Sequence, residues 1–193
     1  MAASALVFPN KLNGVGRDDD AIHDALSACD YRGAVERCAR AHGAAVGRLC
    51  MALVGSQAEA QELAQETFVA ALKSFPTYRA EGSVRSFLFG IARHICARHL
   101  ETRTRREVKL RLVRDDEVCT DDASELMANR ERAQQARDAL AELRPTEREA
   151  VVLRFQCDLS FREVAYACGV DEATARKRVS RAIARLRVSL GDA

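Results

Sequence analysis

Apolar side chains between Gln57 and Phe75 recur every three or four residues, and this repeat restricts the chain to a helical fold. The positions that step in this way are Ala60, Leu63, Ala64, Thr67, Phe68, Ala71, Leu72 and Phe75. Shorter helical patterns cover residues 21–28, 32–54 and 83–103. Three prolines among 193 residues suit long helices better than strands joined by tight turns. The sequence therefore predicts an all-α fold, with room for one large domain or two small ones.

Changes in composition divide the chain into four segments. We predict a disordered N-terminal extension over residues 1–20 and a small helical domain over residues 21–106. Residues 107–125 are predicted to be a flexible linker, because residues 114–125 hold six acidic side chains against one arginine. A second small helical domain is predicted over residues 126–193. It begins with a helix that ends before Pro145 and carries Leu126, Ala133, Ala136, Leu140 and Leu143 on one face.

The sequence carries no pattern of export or membrane insertion. No segment approaches the 18 consecutive apolar residues of a membrane helix, and the N-terminus lacks a basic segment followed by a long apolar run. The seven cysteines are scattered, with no C-x-x-C pair. We therefore expect a cytoplasmic protein whose cysteines are mostly small buried hydrophobic residues.

Positive charge is concentrated in two blocks, although the formal net charge is only +2. Residues 85–106 hold six arginines against Glu101, and residues 171–187 hold six basic side chains against two acidic ones. Two basic blocks on either side of an acidic linker are typical of a protein that grips nucleic acid at two places. The alternative is that both blocks are solvated helix faces.

Two helix starts are marked by capping boxes, in which a hydroxyl accepts a backbone hydrogen bond and a glutamate three residues later reaches back. They are Thr146 with Glu149 and Ser160 with Glu163. The helix that begins after Ser160 is expected to end at Gly169, because glycine accepts the left-handed conformation of a tight turn.

A further helix follows this turn, with Asp171 as its cap, and completes a helix-turn-helix. The side chains predicted to face its core are Ala175, Val179, Ala182, Ile183 and Leu186. A recognition helix places its N-terminal side chains on base edges in the major groove, so Arg176 and Lys177 are the candidates for base contact. The alternative is an ordinary helical hairpin with a charged face.

With two helical domains, an acidic linker and a C-terminal helix-turn-helix, the sequence resembles the sigma-70 family of bacterial RNA polymerase initiation factors, specifically its extracytoplasmic-function group. Residues 60–68 are similar to the family pattern A-E-D-L-x-Q-E-x-F, and residues 87–94 are similar to W-L-x-x-I-A-x-N. The segments that look like the family's region 4 are residues 139–151, 160–165 and 174–182.

The resemblance implies that residues 21–106 form sigma region 2, which binds the clamp helices of the polymerase β′ subunit and the promoter's minus-10 element. The polymerase contacts that it implies are Gln61, Glu62, Gln65, Glu66 and Val69. The minus-10 contacts that it implies are Tyr78, Arg79, Arg85, Arg93, His94, Arg98 and Arg103.

The second domain, residues 126–193, is implied to be sigma region 4, which binds duplex DNA at the minus-35 element and contacts the polymerase β flap. The minus-35 contacts expected there are Glu172, Thr174, Arg176, Lys177, Arg178, Ser180 and Arg181. An anti-sigma factor is a further partner that the resemblance implies.

The loop from Pro76 to Gly82 lies where the resemblance puts a base-capturing loop. Opening DNA without ATP requires unstacked bases to be trapped, and aromatic side chains supply part of that cost. Tyr78 can stack on such a base and Arg79 can donate to it; the alternative is that the loop is a mere connector. Phe87, His94 and Arg98 stand where the family usually has Trp, Asn and Asp, so we expect melting that is weaker or tuned to a different sequence.

Two other functions fit parts of the sequence. A free-standing helix-turn-helix repressor or activator needs only the second domain, and an enzyme acting on nucleic acid is disfavoured because no paired carboxylates lie near the basic blocks. The sequence contains no P-loop, no dinucleotide fingerprint and no nucleophile with its base, so we expect neither catalysis nor a cofactor. His94, Cys96 and His99 lack a nearby fourth ligand, so we expect no metal site.

Overall fold

Helices form the regular structure of every described part of the chain. The computed structural model describes residues 15–111, residue 135 and residues 138–191. The N-terminal module consists of α1 (Val15–Ser27), α2 (Tyr31–Val54), α3 (Gln57–Ser74), a 3₁₀ turn (Phe75–Thr77) and α4 (Val84–Arg111). The C-terminal module consists of a helical turn at residues 138–142 followed by α5 (Pro145–Phe155), α6 (Phe161–Cys168) and α7 (Glu172–Ser189). No strand occurs in these ranges, and the all-α prediction is confirmed.

Two helices extend beyond the predicted segment boundaries. Helix α1 begins at Val15, inside the extension expected to be disordered, and its Asp19 carboxylate lies 3.2 Å from the buried His42 imidazole of α2. This contact, together with burial of Ile22, fixes α1 on α2. Helix α4 continues to Arg111, inside the expected linker. Three of the predicted segments fall partly outside the described residues. They are the rest of the extension, residues 112–125 of the linker and residues 126–134 of the predicted helix.

The apolar face predicted for α3 is the face that the structure buries. Ala60, Leu63, Thr67 and Ala71 are buried, and Phe75 continues the row in the 3₁₀ turn. The Thr67 hydroxyl donates to the carbonyl oxygen of Leu63 at 2.7 Å, which satisfies a polar group inside the core. The opposite face of α3 therefore remains available for other contacts.

One of the two predicted capping boxes is present and the other is wrong. Ser160 accepts from the backbone of Glu163, and the Glu163 carboxylate accepts from the backbone of Ser160. No such box forms at Thr146, because Pro145 occupies the first position of α5 and starts the helix two residues earlier than a Thr146 cap would. Glu149 instead turns into the protein and is buried.

The two modules pack against each other and share one buried cluster. Phe89 and Cys96 of α4 belong to this cluster together with Leu153 of α5, Leu159 and Val164 of the C-terminal module. A second cluster lies within the N-terminal module and contains Ile22, Ala25, Ala34, Cys38, Ala71, Phe75, Val84 and Leu88. Helix α4 is the central helix, since it packs on α2 and α3 on one side and on α6 on the other.

The cysteines behave as buried hydrophobic residues, as predicted for most of them. The buried ones are Cys38, Cys50, Cys96, Cys157 and Cys168, whereas Cys29 is exposed. Burial raises the pKa of Cys157 to about 12, so its thiol stays protonated at neutral pH. Cys119 lies outside the described residues. None of the described helices is both long and apolar enough to cross a bilayer.

Candidate nucleic-acid interface

The helix-turn-helix is held in shape by its caps and its turn. Gly169 adopts φ +64°, the left-handed conformation that terminates α6, and its backbone N–H bonds back into the last turn of that helix. Asp171 caps α7 by accepting from the backbone N–H of Thr174 at 2.7 Å, and its second oxygen accepts from the Thr174 hydroxyl. These two bonds lower the pKa of Asp171, so the cap stays ionised at neutral pH.

The exposed face of α7 carries most of the residues predicted to contact minus-35 DNA. The exposed ones are Glu172, Arg176, Lys177, Ser180 and Arg181. The Arg176 guanidinium lies 4.4 Å from the centre of the Phe161 ring and pairs with Glu172 one turn earlier. This stacking preorganises Arg176 beside α6, a contact that the sequence pattern did not indicate.

Two of the predicted minus-35 residues lie elsewhere. Thr174 is half-buried and its hydroxyl is used in the Asp171 cap. Arg178 is also half-buried and lies on the side of α7 that faces the buried Cys168 and Glu149, since its charge acts on the pKa of both. The structure therefore separates Arg178 from the other basic side chains of the helix.

The outer face of α3 brings together the residues predicted to bind polymerase. Its exposed residues include Gln61, Glu62, Gln65, Glu66 and Val69. The Val69 side chain is one of the few large apolar residues at the surface, with 55% of it exposed. A polar helix face with an apolar residue at one end suits docking on another helix.

The predicted base-capturing loop is more ordered than a free loop. The Tyr78 ring packs 4.8 Å from the Phe87 ring, centre to centre, and its hydroxyl donates to the carbonyl oxygen of Gly82. Burial raises the pKa of Tyr78 to about 12. Arg79 is exposed beside it. In this arrangement Tyr78 holds the loop closed, and the exposed residues of the loop are Pro76, Thr77, Arg79, Ala80 and Glu81.

The basic side chains of α4 divide into an exposed set and a set engaged inside the protein. His94 and Arg98 are exposed. Arg85 and Arg93 point at the C-terminal module, and only 12% and 23% of their side chains are exposed. Arg103 is exposed and pairs with Glu59 of α3 at 3.2 Å.

His99, one of the three residues considered as metal ligands, pairs with Glu59 as well, at 3.2 Å. Cys96 instead shares a hydrogen bond with Cys50 inside the core, and that bond and burial raise the pKa of Cys96. In the described ranges no group of three or more His, Cys, Asp or Glu side chains is arranged to hold a metal ion.

Two carboxylates of the C-terminal module contact Arg85 and Arg93 of α4. The sequence analysis did not predict these contacts. Glu149 Oε2 lies 3.2 Å from Arg93 Nη1, and Glu163 Oε2 lies 3.7 Å from Arg85 Nη2. Burial raises the pKa of Glu149 despite the favourable charge of Arg93. The sequence pattern places both glutamates in capping boxes. It could not indicate these arginine partners, because they lie 56 or more residues away in the chain.

Comparison with known protein families gives a match for each of the two modules. Residues 38–106 match the family model described as Sigma-70 region 2. Residues 133–186 match the family model described as Sigma-70, region 4. The order of the two matches is the order of the two modules in the structure.

Whole-chain comparisons point to the same family. The Probable RNA polymerase sigma-C factor of Mycobacterium bovis is 31% identical over 173 residues, which cover 89% of this chain and 92% of that protein. A solved structure of the sigma factor RpoE with the anti-sigma factor NepR from Bartonella quintana is similar with a TM-score of 0.64 and 24% identity, over 81% of this chain and 96% of that one. CnrH in complex with the cytosolic domain of CnrY gives a TM-score of 0.66 and 22% identity, over 91% and 97%. At these identities the two structures support the helical fold.

Proposed function

The chain belongs to the sigma-70 family of RNA polymerase sigma factors, within its extracytoplasmic-function group, and from that membership we propose how its modules divide the work. The chain is an alternative sigma factor that binds core RNA polymerase and directs transcription initiation at promoter DNA. We assign residues 21–106 to region 2, residues 107–125 to the linker and residues 126–193 to region 4. A repressor would need only the C-terminal module, and the match to region 2 speaks against it.

We propose that the outer face of α3 binds the clamp helices of the polymerase β′ subunit. Gln61, Glu62, Gln65 and Glu66 supply polar contacts, and Val69 supplies apolar area at one end of the same face. The support is that these side chains are exposed together, while the core residues of α3 lie on its other side. We assign the contact with the polymerase β flap to the C-terminal module on family resemblance alone.

Minus-35 DNA is assigned to the exposed face of α7. Arg176 and Lys177 lie in the first two turns after the Asp171 cap, where side chains of a recognition helix reach base edges. Ser180 and Arg181, one turn further, are in position to contact phosphates. Thr174 and Arg178 would reach DNA only if they gave up their present contacts.

Minus-10 DNA is assigned to the loop at residues 76–82 and to the basic side of α4. Arg79, His94 and Arg98 are exposed and can reach a strand without any rearrangement. Tyr78, Arg85 and Arg93 are engaged within the protein, so their contribution requires these internal contacts to open. Arg103 is exposed and pairs with Glu59 at the surface, so only that surface pair has to give way.

The protein is proposed to act in the cytoplasm, without catalytic chemistry of its own. One solved structure of similar fold contains a sigma factor with an anti-sigma factor, and the other contains CnrH with the cytosolic domain of CnrY. We propose an anti-sigma factor as a further partner of this chain on that basis.

The observation that carries this proposal is the exposure, in one chain, of the α3 face and of the basic face of α7. The direct test of the first surface is co-sedimentation of the full chain with core polymerase. Replacing Glu62 and Gln65 together by alanine removes two exposed side chains and leaves the α3 core intact, so binding should weaken about tenfold or more while the melting temperature stays unchanged.

The matched control replaces Glu36 and Glu101, exposed carboxylates on α2 and α4, by alanine. This control should bind polymerase like the parent chain. If the α3 variant and the control bind equally well, the outer face of α3 is not the polymerase surface.

A further inference from the structure

Arg176 is exposed at the surface of α7, and yet two neighbouring side chains hold it in place. Its guanidinium carbon lies over the ring of Phe161, the first residue of α6, 4.4 Å from the ring centre. Its Nε and Nη2 atoms both donate to Glu172 Oε1, and the Nε bond measures 3.1 Å. The Arg176 side chain is therefore fixed although 58% of it is exposed.

The Phe161 ring is itself held by the C-terminal module. It is half-buried and packs against the buried cluster that the two modules share. The Arg154 guanidinium carbon, in the last turn of α5, lies 5.2 Å from the ring centre, and Arg154 Nη1 donates to the Leu159 carbonyl oxygen at 3.1 Å. A ring that is held in this way offers a fixed surface, so Arg176 loses the rotamer freedom of an ordinary surface arginine before any DNA arrives.

The bonds to Glu172 use one edge of the Arg176 guanidinium and leave its other edge. The engaged edge carries Nε and Nη2, whereas Nη1 makes no hydrogen bond to any described residue. The remaining edge, Nη1 with the second hydrogen of Nη2, is a fork of two donors. In the major groove guanine offers such a fork two acceptors, O6 and N7, while adenine and thymine each offer one and cytosine offers a donor. An arginine that is fixed in this way therefore favours guanine.

We propose that Phe161 is a positioning residue for minus-35 recognition, which together with Glu172 presents Arg176 as a fixed fork to one guanine. This inference rests on the proposed assignment of minus-35 DNA to the exposed face of α7. A fixed fork cannot turn toward a wrong base, so a mismatch leaves its donors without acceptors, and discrimination is larger than for a freely moving cation. Phe161 and Glu172 then act on DNA through Arg176 and do not themselves touch a base.

Four substitutions in the full chain separate positioning from structure. Phe161→Leu removes the ring and keeps an apolar side chain, whereas Phe161→Tyr keeps the ring. Arg176→Ala removes the fork itself. Phe155→Leu is the matched control, because it makes the same change at a ring of the same module that lies 5.7 Å from the Arg154 guanidinium carbon and not against Arg176.

Binding of the holoenzyme to duplex promoters randomised at the minus-35 element measures the base preference at each position. The parent chain should prefer guanine at one position by about tenfold, and Arg176→Ala should abolish that preference. Phe161→Leu should lower the preference at the same position to about threefold, since an exposed cation–π contact accounts for a factor of about three. Preferences at the other positions should not change. Phe161→Tyr and Phe155→Leu should keep the preference of the parent chain.

A second measurement reports on the contact in the full chain without polymerase or DNA. The Arg176 guanidinium lies over the Phe161 ring, so the ring current should shift the NMR resonance of its Nε–H proton upfield. This resonance should return to the ordinary arginine position in Phe161→Leu and stay shifted in Phe161→Tyr and Phe155→Leu. The same spectra show that each variant is folded.

Three results would overturn the inference. The first is an unchanged guanine preference in Phe161→Leu after the NMR shift is lost. The second is a loss of binding by Phe161→Leu that is equal for all minus-35 sequences, which is what a purely structural role produces. The third is a preferred base other than guanine at the position that depends on Arg176.

Failure of the proposed function gives a different result. A parent holoenzyme that shows no preference at any minus-35 position would contradict the assignment of α7 to this element, and the positioning role would fall with it. If the parent chain shows a preference and only the Phe161 variants behave otherwise than expected, the assignment of α7 stands and the positioning role alone is wrong.

Discussion

At the level of single residues, the basic side chains of α7 differ in how firmly the protein holds them. Arg176 is held by the Phe161 ring and by Glu172, whereas Lys177 and Arg181 are exposed at the surface. The sequence was sufficient to predict which residues of α7 face outward, because the helical repeat determines that. It could not predict the stacking on Phe161, which depends on how α6 and α7 cross.

Lys177→Ala and Arg181→Ala should separate base readout from phosphate contact. Loss of a base contact at Lys177 should cost about 1–3 kcal/mol and relax preference at one minus-35 position, because the wrong base is then no longer penalised. Loss of a phosphate contact at Arg181 should weaken binding to all sequences alike and reduce the salt slope by about one unit. Binding of the two variants by the holoenzyme to a randomised minus-35 library measures both effects; equal losses across the library would refute the assignment of Lys177.

Glu163 makes the contact between the two modules sensitive to acid, because its carboxylate pairs with Ser83 and Arg85 of the N-terminal module. Burial raises its pKa, but hydrogen bonds from Ser83 and Ser160 and the charge of Arg85 outweigh burial, and the net shift is downward. A carboxyl group whose folded-state pKa is lowered stabilises the protein above its unfolded-state pKa, and this contribution is lost as the pH falls through the folded-state pKa.

Glu163→Gln should therefore reduce the loss of unfolding free energy between about pH 6 and about pH 3. Chemical denaturation at a series of pH values measures this slope. Glu101→Gln, at an exposed carboxylate of α4, is the control and should keep the acid sensitivity of the parent chain. A slope for Glu163→Gln identical to that of the control would contradict the contacts described for Glu163.

At the level of elements, local signals predicted helix positions well where they were strong. The stripe on α3 and the caps at Ser160 and Asp171 lie where they were expected. The box at Thr146 failed because Pro145 sets the start of α5, and proline at the first helical position competes with a hydroxyl cap one residue later. Local patterns thus predict an element best when only one start signal is present.

The turn between α6 and α7 depends on glycine, and a pair of substitutions shows this. Gly169→Ala should destabilise the protein by about 1 kcal/mol, because φ is +64° and an L side chain is strained there. Gly47→Ala should instead stabilise it by about 0.5–1 kcal/mol, since Gly47 is inside α2 with open space around it. Urea unfolding measures both, and a neutral or stabilising effect of Gly169→Ala would show that the turn does not require glycine.

At the level of the whole molecule, the sequence predicted two helical modules and did not predict that they dock. The contacts that join them pair Arg93 with Glu149 and Arg85 with Glu163, across long separations in the chain. Each of these side chains has an ordinary local interpretation: the arginines as solvated surface charges and the glutamates as parts of helix caps. At Gly90 of α4 an added Cβ atom would lie 3.3 Å from the carbonyl oxygen of Ala167 in α6. The sequence could not predict this close approach, because a glycine inside a helix does not indicate what faces it. The DNA-binding assignments therefore stay predictions, and the helical repeat could indicate exposure on α7 but not that Arg85 and Arg93 are covered by the C-terminal module.

The division of promoter recognition between the modules is the central claim, and in vitro transcription over a promoter library tests it most directly. The full chain is combined with core polymerase and templates randomised at the minus-10 and minus-35 elements, and transcripts are sequenced. The account predicts that Arg79→Ala changes the preferred minus-10 sequence alone and that Lys177→Ala changes the preferred minus-35 sequence alone, because the two residues lie in different modules. Altered preference at the same element for both variants, or at neither element for either, would contradict it.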